Sequence, residues 1–157
     1  MAAFGITVLD GQPQEITVSG QTLQICGISD PLTHGTGLFK PRLDLLNQRS
    51  APYDGFSLLL AHRPSYIEHY LPGRYDLVLS GHAHGGQWRA FGLAAYAPGQ
   101  GIFPKYTSGV IDGRCVISRG LGNHTIYPRF FNPRELVIVH YGETAPSKKQ
   151  KKRVAKT

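Results

Sequence analysis

Two histidines one residue apart, His82 and His84, sit in the run Leu79-Ser80-Gly81-His82-Ala83-His84-Gly85-Gly86-Gln87, directly after the apolar segment Asp76-Leu77-Val78-Leu79. Neutral imidazole is a common ligand for zinc, iron, nickel and copper, and near pH 7 it is available as a base. In an extended or tightly turned segment, imidazoles at this spacing can address two neighbouring metal ions, and the flanking glycines permit the turn. His62 has the same setting, because it ends a second apolar run, Phe56-Ser57-Leu58-Leu59-Leu60-Ala61. Open α/β sheets carry their sites at the carboxyl ends of strands. His62, His82 and His84 therefore read as half of a metal site, against the plainer alternative of solvated or capping loop residues. His34, His69, His124 and His140 lack the shared setting.

The elements that must position these residues are mostly strands. Ile6–Leu9, Glu15–Val18 and Thr22–Ile28 are β-rich runs punctuated by Asp10-Gly11 and Ser19-Gly20, which are hairpin signals. A Gly/Thr-rich loop around His34-Gly35-Thr36-Gly37 precedes a helix expected from about Pro41 to Arg49. A second helix is expected over Ser65–Leu71, closed by Pro72-Gly73. Gln87–Ala90 is expected to begin a strand, and Ala97–Gly101 to be a loop. Gly109–Asp112 and Arg114–Ser118 meet at Asp112-Gly113 as a hairpin, and Glu135–Tyr141 is expected as the closing strand. Two all-apolar strands, each followed by polar loop or helix, predict a layered α/β fold that is rich in β structure.

With 157 residues and 41% hydrophobic composition, the chain suits one compact core. No stretch approaches the roughly 18 consecutive apolar residues of a membrane span. The segment Met1-Ala2-Ala3-Phe4-Gly5 has no basic region or apolar run of a signal peptide. A cytoplasmic location is expected as written, with an upstream signal or anchor left open. Cys26 and Cys115 lie in separate apolar runs with no CxxC spacing; both read as buried packing thiols, with a disulfide left open. The formal charge is +7, yet Lys148, Lys149, Lys151, Lys152, Arg153 and Lys156 account for six of the 17 basic residues. The remaining body is nearly neutral. Residues 145–157 read as a disordered basic tail, either merely solvated or touching polyanions such as nucleic acid or an anionic membrane surface.

Gly81-His82-Ala83-His84 resembles the Gly-His-x-His block of the calcineurin-like metallophosphoesterases, and His62 in Leu60-Ala61-His62-Arg63-Pro64 looks like the preceding histidine ligand of that family. His84-Gly85-Gly86-Gln87, Gly101–Gly109, Gly120-Leu121-Gly122 and Asn132-Pro133-Arg134-Glu135 are similar to its YkuE/YaeI-like phosphohydrolase branch. The resemblance runs from about Phe4 to Tyr141. It implies that residues 1–144 are a partial phosphoesterase domain, the carboxyl-terminal part of an αββα sandwich. It also implies a two-metal site of manganese, iron or zinc that drives attack of water on a phosphoester substrate, lipid- or nucleotide-linked substrates included. By the same resemblance His62 and His82 would bind one metal and His84 the other.

The amino-terminal motifs of that family, Asp-x-His, Gly-Asp-x-x-Asp and Gly-Asn-His-Asp/Glu, do not occur here. No aspartate is followed two residues later by histidine, and Gly-Asp never appears. Gly122-Asn123-His124 is followed by Thr125 and lies after the His-x-His block, so Asn123 and His124 are not counted as catalytic. Three neutral imidazoles do not balance two dications about 3.5–4 Å apart. A single metal held by three histidines and a water is the alternative geometry. Weak or absent activity is therefore expected of the chain alone. Three origins compete: the carboxyl-terminal part of a phosphoesterase, one half of a split enzyme completed by an amino-terminal half chain, and a non-catalytic binding module with a basic tail. Trp88, Phe103 and Tyr106 are expected in core or rim packing before a substrate cleft. Arg63 and Arg89 are expected on the solvated surface before contact with phosphate.

Overall fold

The computed structural model describes residues 4–123 and 128–140. Its main sheet has six strands in the order β1-β2-β3-β4-β9-β8. These are β1 (Pro13–Val18), β2 (Gln21–Ile28), β3 (Ser57–Ala61), β4 (Leu77–Ser80), β8 (Gly109–Ile111) and β9 (Cys115–Ile117). β2, β3, β4 and β9 are mutually parallel, and the edge strands β1 and β8 pair antiparallel to their neighbours. A second sheet of three antiparallel strands comprises β5 (Trp88–Ala90), β6 (Leu93–Ala97) and β7 (Gly101–Ile102). The fold is thus mixed α/β and β-rich.

Helices cover one face of the main sheet. α1 (Pro31–His34) leads into α2 (Thr36–Ser50), and a short 3-10 turn (Pro64–Tyr66) leads into α3 (Ile67–Tyr70). α2 buries Phe39, Leu43, Leu46 and Ser50, a stripe at helical spacing. It packs on Cys26, Ile28, Leu59, Ala61, Val78, Cys115 and Ile117, with Ile67, Tyr70 and Tyr75 completing the core. The strand register puts Ile25, Leu58, Leu60, Leu77, Leu79 and Val116 on the opposite face. Among the described residues that face carries only the segment before β1, where Leu9 closes over Gly27. A Cβ on Gly27 would stand 2.6 Å from the Leu9 Cβ and carbonyl oxygen.

Several elements differ from expectation. α2 starts at Thr36, absorbing the predicted Gly/Thr loop and carrying Pro41 inside it. Residues 6–9 form no strand, because they cross the sheet face and do not extend its ladder. Residues 136–140 form no strand either, and Glu135 makes a single bridge to Gly120. Leu136 and Ile138, 73% and 71% exposed, have no neighbouring strand among the described residues to pair with. β6 was not expected. The cysteines are both buried and free, and burial raises the Cys26 pKa to about 11. The tail, residues 145–157, and His124 lie outside the described residues.

Candidate metal centre

Three adjacent parallel strands end side by side, and each delivers a ligand-type residue just past its last position. β2 leads to Asp30, β3 to His62 and β4 through Gly81 to His82. Ligand atoms of these three side chains all lie within 4.8 Å of one another. Asp30 was not singled out from the sequence, although it obeys the strand-end rule that selected the histidines. Its distance in sequence from His62 concealed the relation.

His82 Nδ1 lies 3.0 Å from His62 Nε2, with the rings edge to face. One nitrogen donates and the other accepts. With metal–nitrogen bonds of about 2.1 Å, two ligands at right angles on one ion stand roughly 3.0 Å apart. The histidine pair thus fits neighbouring positions on a single metal. Burial, then the charges of Arg63 and His62, lowers the His82 pKa to about 4. Its imidazole is therefore neutral at physiological pH, the form that ligates.

Asp30 is already engaged. Its Oδ1 accepts from the Leu32 backbone N–H at 2.9 Å, capping α1, and its Oδ2 accepts from Arg63 Nε at 2.7 Å. Burial opposes ionisation, but the Leu32 N–H and the Arg63 guanidinium outweigh it and hold the carboxyl below its usual range. The Arg63 side chain is only 13% exposed, so the expected solvated role gives way to a partly buried ion pair at the site. A Cβ on Gly99 would meet Arg63 Nη1 at 2.7 Å and His82 Nε2 at 3.3 Å. The β6–β7 turn can close over the site because residue 99 has no side chain.

His84 is placed apart from this group. Its Nδ1 lies 3.4 Å from Arg129 Nη2, and its backbone carbonyl accepts from Asn132 Nδ2 at 2.5 Å. His82 and His84 both adopt positive φ, 54° and 48°, uncommon for residues with a Cβ. Tight packing holds that turn. A Cβ on Gly86 would sit 2.2 Å from the Ala94 Cβ, and one on Gly85 would sit 2.6 Å from Asn132 Oδ1. Gln87, fully buried, donates from Nε2 to Asn123 Oδ1 at 2.9 Å. Asn123 therefore buttresses the loop. Arg89 also ties it down, donating to the carbonyls of Gly85 and Gly92, and is no solvated surface group. Of the three candidate cleft aromatics, Tyr106 bonds Glu68 and Trp88 packs on Tyr96 and Phe130, while Phe103 is 81% exposed.

The chain is similar to two proteins named, provisionally, as metallophosphoesterases. One, F40B5.2 of Caenorhabditis elegans, is 26% identical over 140 residues, covering 85% of this chain and 29% of the relative. The other, Cj0846 of Campylobacter jejuni, is 30% identical over 136 residues, covering 75% of this chain and 31% of the relative. Neither name states a substrate. No family model and no solved structure matches the chain. The chain is a distant homologue of metallophosphoesterases and spans about 30% of the length of these curated relatives.

Proposed function

We propose that this chain supplies the histidine half of a divalent-metal centre that hydrolyses phosphoesters, within an αββα sandwich of the YkuE/YaeI-like kind. The observation that carries the reading is the convergence of Asp30, His62 and His82 at three adjacent strand ends, in a chain homologous to metallophosphoesterases. In this reading His62 and His82 hold one metal ion and His84 a second. When bound, the metal supplies Lewis-acid activation of water and neutralises charge on the phosphoryl oxygens. Arg63 presents a guanidinium beside His82, a group matched to phosphate, and Asp30 fixes its orientation. The neutral His82 ring keeps a lone pair free for ligation. The Gly99 turn limits the volume open to water next to that ring.

In this reading, carboxylates beyond Asp30 that balance two dications would be supplied by an Asp-rich amino-terminal half. The experiment is metal titration of the chain with Mn²⁺ together with hydrolysis of bis(p-nitrophenyl) phosphate. Both are measured with and without a co-expressed segment carrying Asp-x-His, Gly-Asp-x-x-Asp and Gly-Asn-His. Weak binding and little turnover alone, with both restored on co-expression, is the expected result. Tight stoichiometric binding and turnover by the chain alone, abolished by His82→Ala, would overturn the incomplete centre. Full metal loading with no hydrolysis of any phosphoester tried would overturn the phosphoesterase reading.

A further inference from the structure

The turn between β6 and β7 reaches over the metal centre and is fastened from outside it. Within Ala97-Pro98-Gly99-Gln100-Gly101, Gly99 and Gly101 stand at φ 73° and 76°, a backbone conformation open to glycine and costly for other residues. Gly99 is itself exposed on its outer side. Its inner side stands against the centre, because a Cβ there would meet Arg63 Nη1 at 2.7 Å and His82 Nε2 at 3.3 Å. The two histidines are accordingly shielded unequally. His62 is exposed and His82 half-buried, although their facing nitrogens stand 3.0 Å apart. His82 turns Nδ1 towards His62, so the nitrogen beneath the turn is the other one of that ring.

Gln100 fastens the turn. Its Nε2 donates to the Tyr106 carbonyl at 2.6 Å and its Oε1 accepts from the Tyr106 N–H at 3.0 Å. One side-chain amide thus makes the pair of bonds that a facing strand residue would make. Tyr106 is a fixed post for this bond, since it packs against the main core. Its hydroxyl donates to Glu68 Oε1 at 2.8 Å, and Lys105 Nζ reaches the same oxygen at 2.7 Å. Glu68 belongs to α3, whose Tyr70 hydroxyl donates to the Arg63 carbonyl at 3.0 Å. The run of contacts therefore starts at Gly99, over the Arg63 guanidinium, and returns through α3 to the Arg63 backbone. The Lys105 and Glu68 side chains are 70% and 66% exposed, and exposed ion pairs are worth little. The two hydrogen bonds of Gln100 carry most of the closure.

We propose that the Gly99 turn is a lid over Arg63 and His82, and that Gln100 is the positioning residue that holds it shut. Shut, it keeps water from the far side of the His82 ring and confines the Arg63 guanidinium, while the glycines at 99 and 101 supply the hinge. The purpose of the lid rests on the metal-centre reading. Its test uses the metal-free full chain, so either can fail without the other. Histidines are carbethoxylated with diethyl pyrocarbonate, and the rates at His62, His82 and His34 are followed by peptide mass mapping. In the unaltered chain His82 should react more slowly than His62. Gln100→Ala should quicken His82 by about tenfold or more, the scale of two lost hydrogen bonds, and leave His62 and His34 unchanged. Gly99→Ala keeps the Gln100 bonds and wedges the turn away from Arg63 Nη1, so it too should quicken His82 alone. A His82 rate unmoved by Gln100→Ala would overturn the proposal. So would a parallel rise at His34, which lies in α1 paired with Asp10 and would report general loosening of the fold.

Discussion

At the scale of single residues, the proposed centre rests on two histidines whose facing ring nitrogens stand 3.0 Å apart. Removing a metal ligand costs more than the ten- to hundredfold typical of an outer-shell partner. In the co-expressed assembly His62→Ala and His82→Ala should therefore each lower Mn²⁺ affinity by about a hundredfold or more, read by calorimetry, while Gln variants retain the fold. Asp30→Ala removes the cap of α1 and leaves Arg63 unpaired. A cap alone is worth about 0.5–2 kcal/mol, so a fall of at least about 1 kcal/mol in the urea-unfolding free energy is expected. The pH response follows from the lowered His82 pKa. Between pH 6.5 and about 4 the unfolded chain binds a proton that the folded chain does not, so stability falls as pH drops through that window. The thermal midpoint should decline on acidification over this range, and His82→Gln should flatten the decline. His62 and His82 were legible as candidates because each follows an apolar run and the rule for strand ends applies. Asp30 was hidden because its role appears only when β2 is known to lie beside β3.

Elements decide which way these residues face. The His-x-His-Gly-Gly loop runs left-handed at four of its residues, with Gly85 and Gly86 at φ 75° and 73°, and β6 packs directly against Gly86. Gly86→Ala meets both a steric contact with Ala94 and an unfavourable φ. It should destabilise by more than the 0.4–1 kcal/mol scale of a tolerated glycine substitution, as measured by the urea midpoint. Ala94→Gly in the same chain should recover the steric part and leave the φ part. The predicted strands β2, β3 and β4 appear; the near-continuous apolar runs of β3 and β4 suit strands inside a parallel sheet. The closing strand over Glu135–Tyr141 does not appear among residues 135–140. A strand exists only by pairing, and alternation in Leu136 and Ile138 supplies no partner. The short strands β6 and β7 escaped notice for the converse reason: segments of five and two residues, rich in Ala and Gly, carry little pattern of their own.

Among the described residues of the whole molecule, helices cover one face of the main sheet and only the segment before β1 lies on the other. Leu60 and Val110 on the open side are 41% and 60% exposed, and contiguous apolar surface of this kind promotes association. The chain alone should bind an apolar dye and self-associate as concentration rises, by fluorescence and sedimentation velocity. Leu60→Lys with Val110→Lys should suppress both and shift stability by no more than about 0.5 kcal/mol per site, as for other exposed positions. The sequence by itself determined the apolar core strands β3 and β4, a helix over Pro41–Arg49 and the placing of His62 and His82 after apolar runs. These follow from apolar periodicity and from glycine, both local properties of the chain. Only the tertiary structure decided that Asp30, 33 residues from Arg63, pairs with it beside the two histidines. The same is true of the turn of His84 towards Arg129. Those relations are set by strand order and register, which arise between segments and leave no trace in the spacing within any one of them.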